Sequence, residues 1–317
     1  MNKKLRVSVV GTGHLGTIHT RLWKNCENAE LVGLFDINKE QSEKISSEFN
    51  CKNFTSIDEV INNSDAVTIA VPTSEHYNIA TKFIEAGIHL LIEKPITQHY
   101  YEAINLIEFS NNKNVIIQVG HVERFNPALA ALKNYNLNPK FIEAHRLSQF
   151  KPRATDVSVI HDLMIHDIDI MLWLIKSKVK KIDSNGVAVL TDTADIANAR
   201  ITFENGAVAN LTASRISARP MRKMRLFQPY SYISIDFGKG DVEVYRLDEN
   251  GNIDNSNNQP TTILGSIDSG TSQKTIFLEK PQVPEINAIA EEQKTFIQAI
   301  LQKKPIGKRN MAYPAFK

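Results

Sequence analysis

Six residues near the start of the chain, Gly11-Thr12-Gly13-His14-Leu15-Gly16, constrain its fold more than any other feature. They match G-x-G-x-x-G and lie between a β-branched run, Leu5 to Val10, and a helix-compatible stretch, His14 to Asn25. In that setting the first glycine permits a tight turn, the second lets the backbone approach a pyrophosphate, and the third lets helix and strand pack closely. The helix N-terminus adds amide donors and the positive end of its dipole. A second apolar run, Leu31 to Phe35, ends at Asp36, 20 residues after Gly16. A carboxylate at that spacing binds both ribose hydroxyls of a dinucleotide. It would repel a 2′-phosphate, so NAD is expected rather than NADP. The competing reading is a glycine-rich turn that binds nothing, and the strand, helix and acid together weigh against it.

The alternation continues. Residues 38–49 are charged and helix-compatible, and Ala66 to Val71 is a strand stopped by Pro72. Residues 75–86 predict a helix with Ile79, Ala80, Phe83 and Ile84 on one face. Ile88 to Ile92 is a buried-type strand ending at Glu93-Lys94-Pro95, followed by a helix over Tyr100 to Ser110 and a strand over Val115 to Val119. Apolar strands alternating with helices predict a parallel sheet covered on both faces. After about residue 121 the rhythm changes. Phe141 to Phe150 is a longer, more polar strand, and Val159 to Ile175 is a helix. Turn signals at Asn185-Gly186, Asn205-Gly206, Asp236-Phe237-Gly238 and Asn250-Gly251 make residues 179–247 an antiparallel sheet. Residues 250–280, rich in Asn, Ser, Thr and Gly, predict a long loop, and Glu285 to Gln302 a final helix. The expected fold class is α/β. Residues 1–120 form a doubly wound, Rossmann-type NAD-binding domain. Residues 121–317 form an α+β domain with an open, mostly antiparallel sheet, its helix 285–302 packing back near the junction.

The chain's 317 residues agree with two domains at roughly 150 residues each. Lys and Arg number 37 against 35 Asp and Glu, a net charge of +2, which argues against a nucleic-acid partner. No apolar run approaches the roughly 18 residues that cross a bilayer. The basic start leads only into Val7 to Val10, read as a first strand rather than a signal peptide. Two cysteines, Cys26 and Cys51, make neither a disulfide framework nor a zinc pattern, and no metal is expected. A soluble, cytoplasmic protein is expected.

Other residues can carry chemistry. Lys94 follows a predicted parallel strand, where open α/β sheets bind ligands. It can donate to a hydroxyl or carbonyl or act as a base, or it can be a surface lysine paired with Glu93. On the second-domain helix, Asp162, His166 and Asp169 stand at i, i+4 and i+7 and share a face. His166 suits general acid/base work, and Asp162 can orient it or a substrate; a buried polar network is the alternative. Asp169 and His161 read as structural. Arg124, Lys151 and Arg153 can bind a diphosphate or form ion pairs. The basic run Arg215, Arg219, Arg222, Lys223 and Arg225 reads as a solvated face or subunit contact. His76 either lines the cofactor cleft or caps a loop, and Trp23 and Trp173 read as core.

The glycine motif, Val71-Pro72-Thr73, Glu93-Lys94-Pro95 and Gly120-His121-Val122-Glu123-Arg124-Phe125-Asn126-Pro127 stand in the order and spacing of a known group. The chain resembles the Gfo/Idh/MocA oxidoreductase family. The resemblance implies hydride exchange between a nicotinamide cofactor and a hydroxyl or ketone, most often on a sugar or cyclitol. It implies that Lys94 is catalytic, with His166 and Asp162 matching the family's Asp-x-x-x-His pair. Cofactor contacts then fall to Gly11, Gly13, His14, Leu15, Gly16 and Asp36, with Pro72, Thr73, His76, Glu93 and Lys94 beyond them. Substrate contacts fall to Lys94, His121, Arg124, Asn126, Arg153, Asp162 and His166. A homodimer or homotetramer through the second-domain sheet is also implied.

The chain departs from the family pattern where many members have glycines. Ser158-Val159 and Met164 stand there instead, implying a differently shaped pocket. These segments are most similar to a bacterial branch that includes the UDP-N-acetylglucosamine 3-dehydrogenases. The expected substrate is therefore a UDP-sugar. A simple sugar or inositol dehydrogenase, an NAD-dependent glycosidase and a non-catalytic NAD-binding regulator are the alternatives, and the joint presence of Lys94, Asp162 and His166 speaks against the last. Resembling chains usually continue into one more helix, and Lys303 to Lys317 reads as a tail without it.

Overall fold

Strands β1 (Leu5–Val10), β2 (Ala29–Phe35) and β3 (Lys52–Asn53) alternate with helices α1 (His14–Trp23), α2 (Lys39–Phe49) and α3 (Ile57–Asn63). The alternation continues through β4 (Ala66–Ile69), α4 (Thr73–Glu85), β5 (His89–Glu93), α5 (Tyr100–Lys113) and β6 (Ile117–Gly120). The computed structural model describes residues 4–151, 157–248, 261–268, 270 and 273–302. Arg153, the Asn250-Gly251 turn signal and the tail from Lys303 lie outside the described residues.

All six strands are parallel, in the order β3-β2-β1-β4-β5-β6. Each of β4 and β5 is buried along almost all its length because both of its faces are covered. On one face Val60, Ala80, Phe83, Ile84 and Leu106 pack against Val67, Ile69, Leu90 and Ile92. On the other, Trp23 and Ile45 pack against Val7, Val9, Leu34 and Leu91. The strand order reverses between β1 and β4, so the crevice beyond their carboxyl ends is the ligand-binding position of such sheets. Helix α3 is an addition to the sequence reading. Ser56 caps it by accepting from the Glu59 N–H at 3.1 Å, and Glu59 reaches back to the Thr55 N–H at 2.8 Å.

The chain divides into two units. One runs to Phe125 and resumes at Asn287; the other is Asn126–Ile286. The second unit holds α6 (Pro127–Ala130), β7 (Phe141–Leu147), a π turn (Ile160–Met164) and α7 (Ile165–Ile175). Strands β8 (Val179–Val187), β9 (Ile196–Phe203), β10 (Val208–Ser214) and β11 (Met221–Gln228) follow. Strands β12 (Ser231–Asp236), β13 (Asp241–Asp248), β14 (Thr261–Asp268) and β15 (Gln273–Glu279) complete its sheet. The nine strands run in the order β14-β15-β13-β12-β11-β7-β10-β9-β8.

One expectation is corrected here. Residues 250–280 are not one long loop, because β14 and β15 pair antiparallel within them. Strand β14 lies at the edge of the sheet and is exposed along almost all its length. Within 179–247 the pairing is antiparallel, but β10 lies parallel to β7, since α7, β8 and β9 intervene in the chain. One face of the sheet, through Ile142, Ala144, Leu211 and Met224, packs on Ile170, Met171 and Leu174 of α7. Buried Asp195 closes the β8–β9 connection. Burial would raise its carboxyl, but the Leu190, Val189 and Thr191 N–H groups at 2.6, 2.8 and 3.0 Å hold it well below the usual range.

The resumed segment is α8 (Ala288–Leu301), whose Phe296, Ile297 and Ile300 join the core around Trp23. The Trp23 and Phe296 rings lie 6.5 Å apart, and the indole N–H donates to Thr68 Oγ1 at 2.9 Å. Cys26 and Cys51 are free thiols at the edge of this core, both pushed up by burial. Among the described residues no helix is long and apolar enough to cross a membrane. Since Phe296 is fully buried, Phe296→Ala should destabilise the first unit by about 3–5 kcal/mol. A denaturant titration followed by Trp23 fluorescence in a Trp173→Phe background tests this. An unshifted midpoint would show that α8 is not part of that core.

Candidate active site

The sharp turn after β1 is built by contacts that only glycine allows. Gly11 has φ +91°, and a Cβ there would meet the Ala70 carbonyl at 2.5 Å. A Cβ on Gly16 would lie 1.8 Å from the Gly11 carbonyl oxygen, so α1 begins in direct backbone contact with the strand end. Gly13 faces open space, with nothing within 4 Å of where its Cβ would be. It is the N-cap of α1, no side chain caps the helix, and the first turn holds no acidic residue. Gly13, His14 and Leu15 are exposed there. These are the conditions for an anion on the helix N-terminus.

Asp36 stands at the end of β2 and ties the turn down. Its carboxylate accepts from the Thr12 N–H at 2.6 Å, the Thr12 hydroxyl at 2.9 Å and the Asn38 N–H at 2.8 Å. Two carboxylate oxygens offer about four acceptor sites, so capacity remains for ribose hydroxyls. Ile37, 91% exposed beside Asp36, was missed in the sequence. The sequence offered only an apolar residue directly after the acid that ends β2. The open cradle, the uncapped helix start and the acid fit NAD: Gly13, His14 and Leu15 would hold its pyrophosphate and Asp36 its adenosine ribose.

Pro72 is the exposed N-cap of α4, and Thr73 opens that helix at the carboxyl end of β4. His76 does not fit the cofactor contact expected of it. It is buried, with Nδ1 2.9 Å from the Pro95 carbonyl oxygen and Nε2 3.0 Å from that of Val71. With both ring nitrogens against backbone, it links the segments beyond β4 and β5.

Glu93 is the last residue of β5, and Lys94 follows it, half-buried. The Glu93 carboxylate lies 2.9 Å from His19 Nε2 and accepts the Lys94 N–H at 3.2 Å. Gly120, beside it on β6, has no Cβ to intrude; one there would come within 3.0 Å of Glu93 Oε2. The buried His19 was the other feature missed, its signal being a polar residue on the inner face of α1. His121 begins a 3-10 turn, Val122–Phe125, where Arg124 is buried and donates its N–H to the His121 carbonyl at 3.0 Å. Asn126 Oδ1 caps α6 through the Ala128 N–H at 3.0 Å.

In the second unit Asp162 falls inside the π turn, where the N–H of Ile165 reaches the carbonyl of Ile160. His166 stands just beyond it on α7. The expected common face of Asp162 and His166 assumed a regular 3.6-residue period, and the wider turn changes their angular relation. Asp167, which had no role in the sequence reading, anchors this helix. Arg146 of β7 donates to it through Nε at 3.0 Å and Nη2 at 2.9 Å, both residues buried. His161 Nδ1 lies 3.1 Å from the Ser158 hydroxyl, and Asp169 is buried. Among the described residues no group of three or more His, Cys, Asp or Glu could hold a metal ion.

Comparison with known proteins agrees with this geometry. Residues 5–121 match the oxidoreductase family model with an NAD-binding Rossmann fold, and residues 132–229 match the GFO/IDH/MocA C-terminal domain. The chain is 40% identical over 242 residues to a UDP-N-acetylglucosamine 3-dehydrogenase of Acidithiobacillus ferrooxidans, covering 76% of this chain and 77% of that protein. A scyllo-inositol 2-dehydrogenase (NAD(+)) of Bacillus subtilis is 29% identical over 68% of this chain and 69% of its own. The solved structure of UDP-N-acetylglucosamine 3-dehydrogenase GnnA from A. ferrooxidans superposes with a TM-score of 0.82 at 35% identity, covering 95% of this chain and 90% of that one. A glycine cradle with its acid, a lysine at a parallel strand end and matches in both halves place the chain in the Gfo/Idh/MocA oxidoreductase family, as an NAD-dependent dehydrogenase acting on a CH–OH group.

Proposed function

We propose that this enzyme oxidises a nucleotide sugar, with UDP-N-acetylglucosamine converted to its 3-keto form. The observation that carries the reading is the 40% identity to a UDP-N-acetylglucosamine 3-dehydrogenase across 242 residues. The inositol enzymes among the relatives are more distant; that of Saccharopolyspora erythraea is 32% identical over 190 residues. Met164 and Ser158-Val159, in place of the family's usual glycines, support a pocket unlike that of the simple sugar enzymes.

NAD, when bound, supplies the hydride acceptor. Lys94 takes the hydroxyl proton of the carbon being oxidised. His166 is the second acid/base group, and Asp162 orients substrate or the imidazole. Arg124 and Arg153 are assigned to the substrate diphosphate, a role suited to guanidinium forks. Fixing the reacting carbon near the nicotinamide removes the entropy cost of a bimolecular encounter. Ile37, exposed beside Asp36, is assigned to the adenine face. The enzyme is placed in the cytoplasm, where NAD and nucleotide sugars are made, and its unpaired thiols suit a reducing compartment.

A homo-oligomer through the second-unit sheet is part of the proposal. The face away from α7 carries an aromatic ladder: Phe141 and Phe227 5.7 Å apart, Phe227 and Tyr232 4.9 Å, Tyr232 and Tyr245 5.3 Å. Phe227 is 38% exposed at its centre. Such a ladder suits burial against a second copy.

Three outcomes test these statements. With NAD, UDP-N-acetylglucosamine and a ketone trap, the protein should form NADH, and Lys94→Ala should lower kcat by roughly 10²–10⁴-fold. Signal only with free sugars or inositol would sink the nucleotide-sugar reading, and release of free sugar without net NADH would replace it with elimination chemistry. Asp36→Ala should cut the NAD-over-NADP preference in kcat/KM by at least about tenfold, the worth of one charge-assisted hydrogen bond. An unchanged preference would remove Asp36 from the ribose site. Light scattering should report a dimer or tetramer that Phe227→Lys reduces to a smaller species; an unaltered mass would move the interface elsewhere.

A further inference from the structure

Behind the lysine runs a buried chain of hydrogen bonds from the last helix to the strand end. Gln293 of α8 places its Nε2 3.1 Å from His19 Nδ1 and 3.1 Å from the His19 carbonyl oxygen. A carbonyl oxygen can only accept, so the amide atom beside it is the donor nitrogen. Its two hydrogens then go to the carbonyl and to Nδ1. His19 Nδ1 accordingly accepts, and the ring proton sits on Nε2. That proton points at Glu93 Oε1, 2.9 Å away. The other Glu93 oxygen accepts the Lys94 N–H at 3.2 Å. His19 is fully buried, and Gln293 and Glu93 are nearly so.

We propose that His19 and Gln293 are positioning residues for the oxidation, holding the Glu93 side chain and through it the main chain of Lys94 at a fixed distance from the cofactor helix. The proposal rests on the catalytic role assigned to Lys94. His19 lies three residues beyond Gly16 on α1, the helix whose first turn forms the pyrophosphate cradle. One rigid helix therefore sets the cofactor at its N-terminus and the lysine strand end at its flank. Removing the Gln293 amide frees the ring to place its proton on Nδ1. Nε2 would then face Glu93 as a second acceptor, and the bond that fixes the strand end is lost. Gly120 is part of the same arrangement, since a Cβ there would crowd Glu93 Oε2 at 3.0 Å.

The test uses the full-length enzyme. A nitrogen-15 spectrum of labelled histidine should show His19 with its proton on Nε2 and a bare Nδ1, and Gln293→Leu should mix the two tautomers. His19→Leu should lower kcat by roughly 10- to 100-fold, the cost of slightly misplacing a reacting group, while the NAD dissociation constant stays within about twofold. His19→Gln, whose amide can still donate to Glu93, should recover most of the loss. Equal losses in His19→Leu and His19→Gln with NAD binding intact, or a wild-type proton on Nδ1, would overturn the proposal. If Lys94→Ala kept full turnover, the catalytic reading would fail, yet the spectrum would still report whether Gln293 sets the tautomer.

Discussion

The contact between Gly16 and the Gly11 carbonyl is the constraint on which the first unit depends. No side chain fits there, so α1 starts against the end of β1 and its axis is fixed relative to the sheet. Polar side chains complete the clamp. Thr20 donates to the Gly16 carbonyl at 2.8 Å, Thr17 to that of Thr12 at 3.0 Å, and the Gly11 N–H to Phe35 at 2.9 Å. With the helix so placed, Gly13 opens onto empty space, Trp23 reaches Thr68 and His19 reaches Glu93. The cofactor cradle, the core and the lysine strand end are three consequences of one backbone approach.

The second unit solves a similar problem with charge. Helix α7 carries His166 near its start, directly after the π turn that holds Asp162, and must not slide or rotate on the sheet. Apolar packing alone fixes such a helix loosely along its axis, because many registers bury similar area. The bidentate Arg146–Asp167 pair permits one register. A buried ion pair offsets its desolvation only with good geometry, and here both carboxylate oxygens and two guanidinium nitrogens are matched. Its value is placement more than stability, and it stands one residue from His166.

Much of this was legible in the residues. The glycine motif with its strand and acid led to the cradle, and the apolar runs at β1, β4 and β5 led to a parallel sheet because strands buried on both faces lose alternation. What escaped was set by partners remote in sequence. His76 is polar and near the strand edge, so a cofactor contact and a loop cap both stood open, but its ring nitrogens lie against the carbonyls of Val71 and Pro95, which spacing does not reveal. Strand β14 read as loop because the Asn- and Ser-rich residues just before it dominated the composition of the whole segment. The π turn at Asp162 breaks the period on which a face argument relies. Helix α3 was marked by Ser56 and Glu59, a capping pair passed over because the segment is short.

The return of α8 to the first unit follows from how the sheet is wound. Helices α4 and α5 both cover the face that contains Leu90 and Ile92. The residue between them, Leu91, points to the opposite face, as alternate strand residues must. There Trp23 of α1 and Ile45 of α2 share one cluster with Val7, Val9, Leu34, Leu91 and Ile116. A third helix joins them on this face. It contributes Phe296, Ile297 and Ile300, 274 residues separating Gln293 from the His19 it touches. The helix that completes the core is thus the one that sets the His19 tautomer. The cofactor half is finished, in packing and in the hydrogen bonds behind its lysine, only by a segment that follows the whole of the second unit.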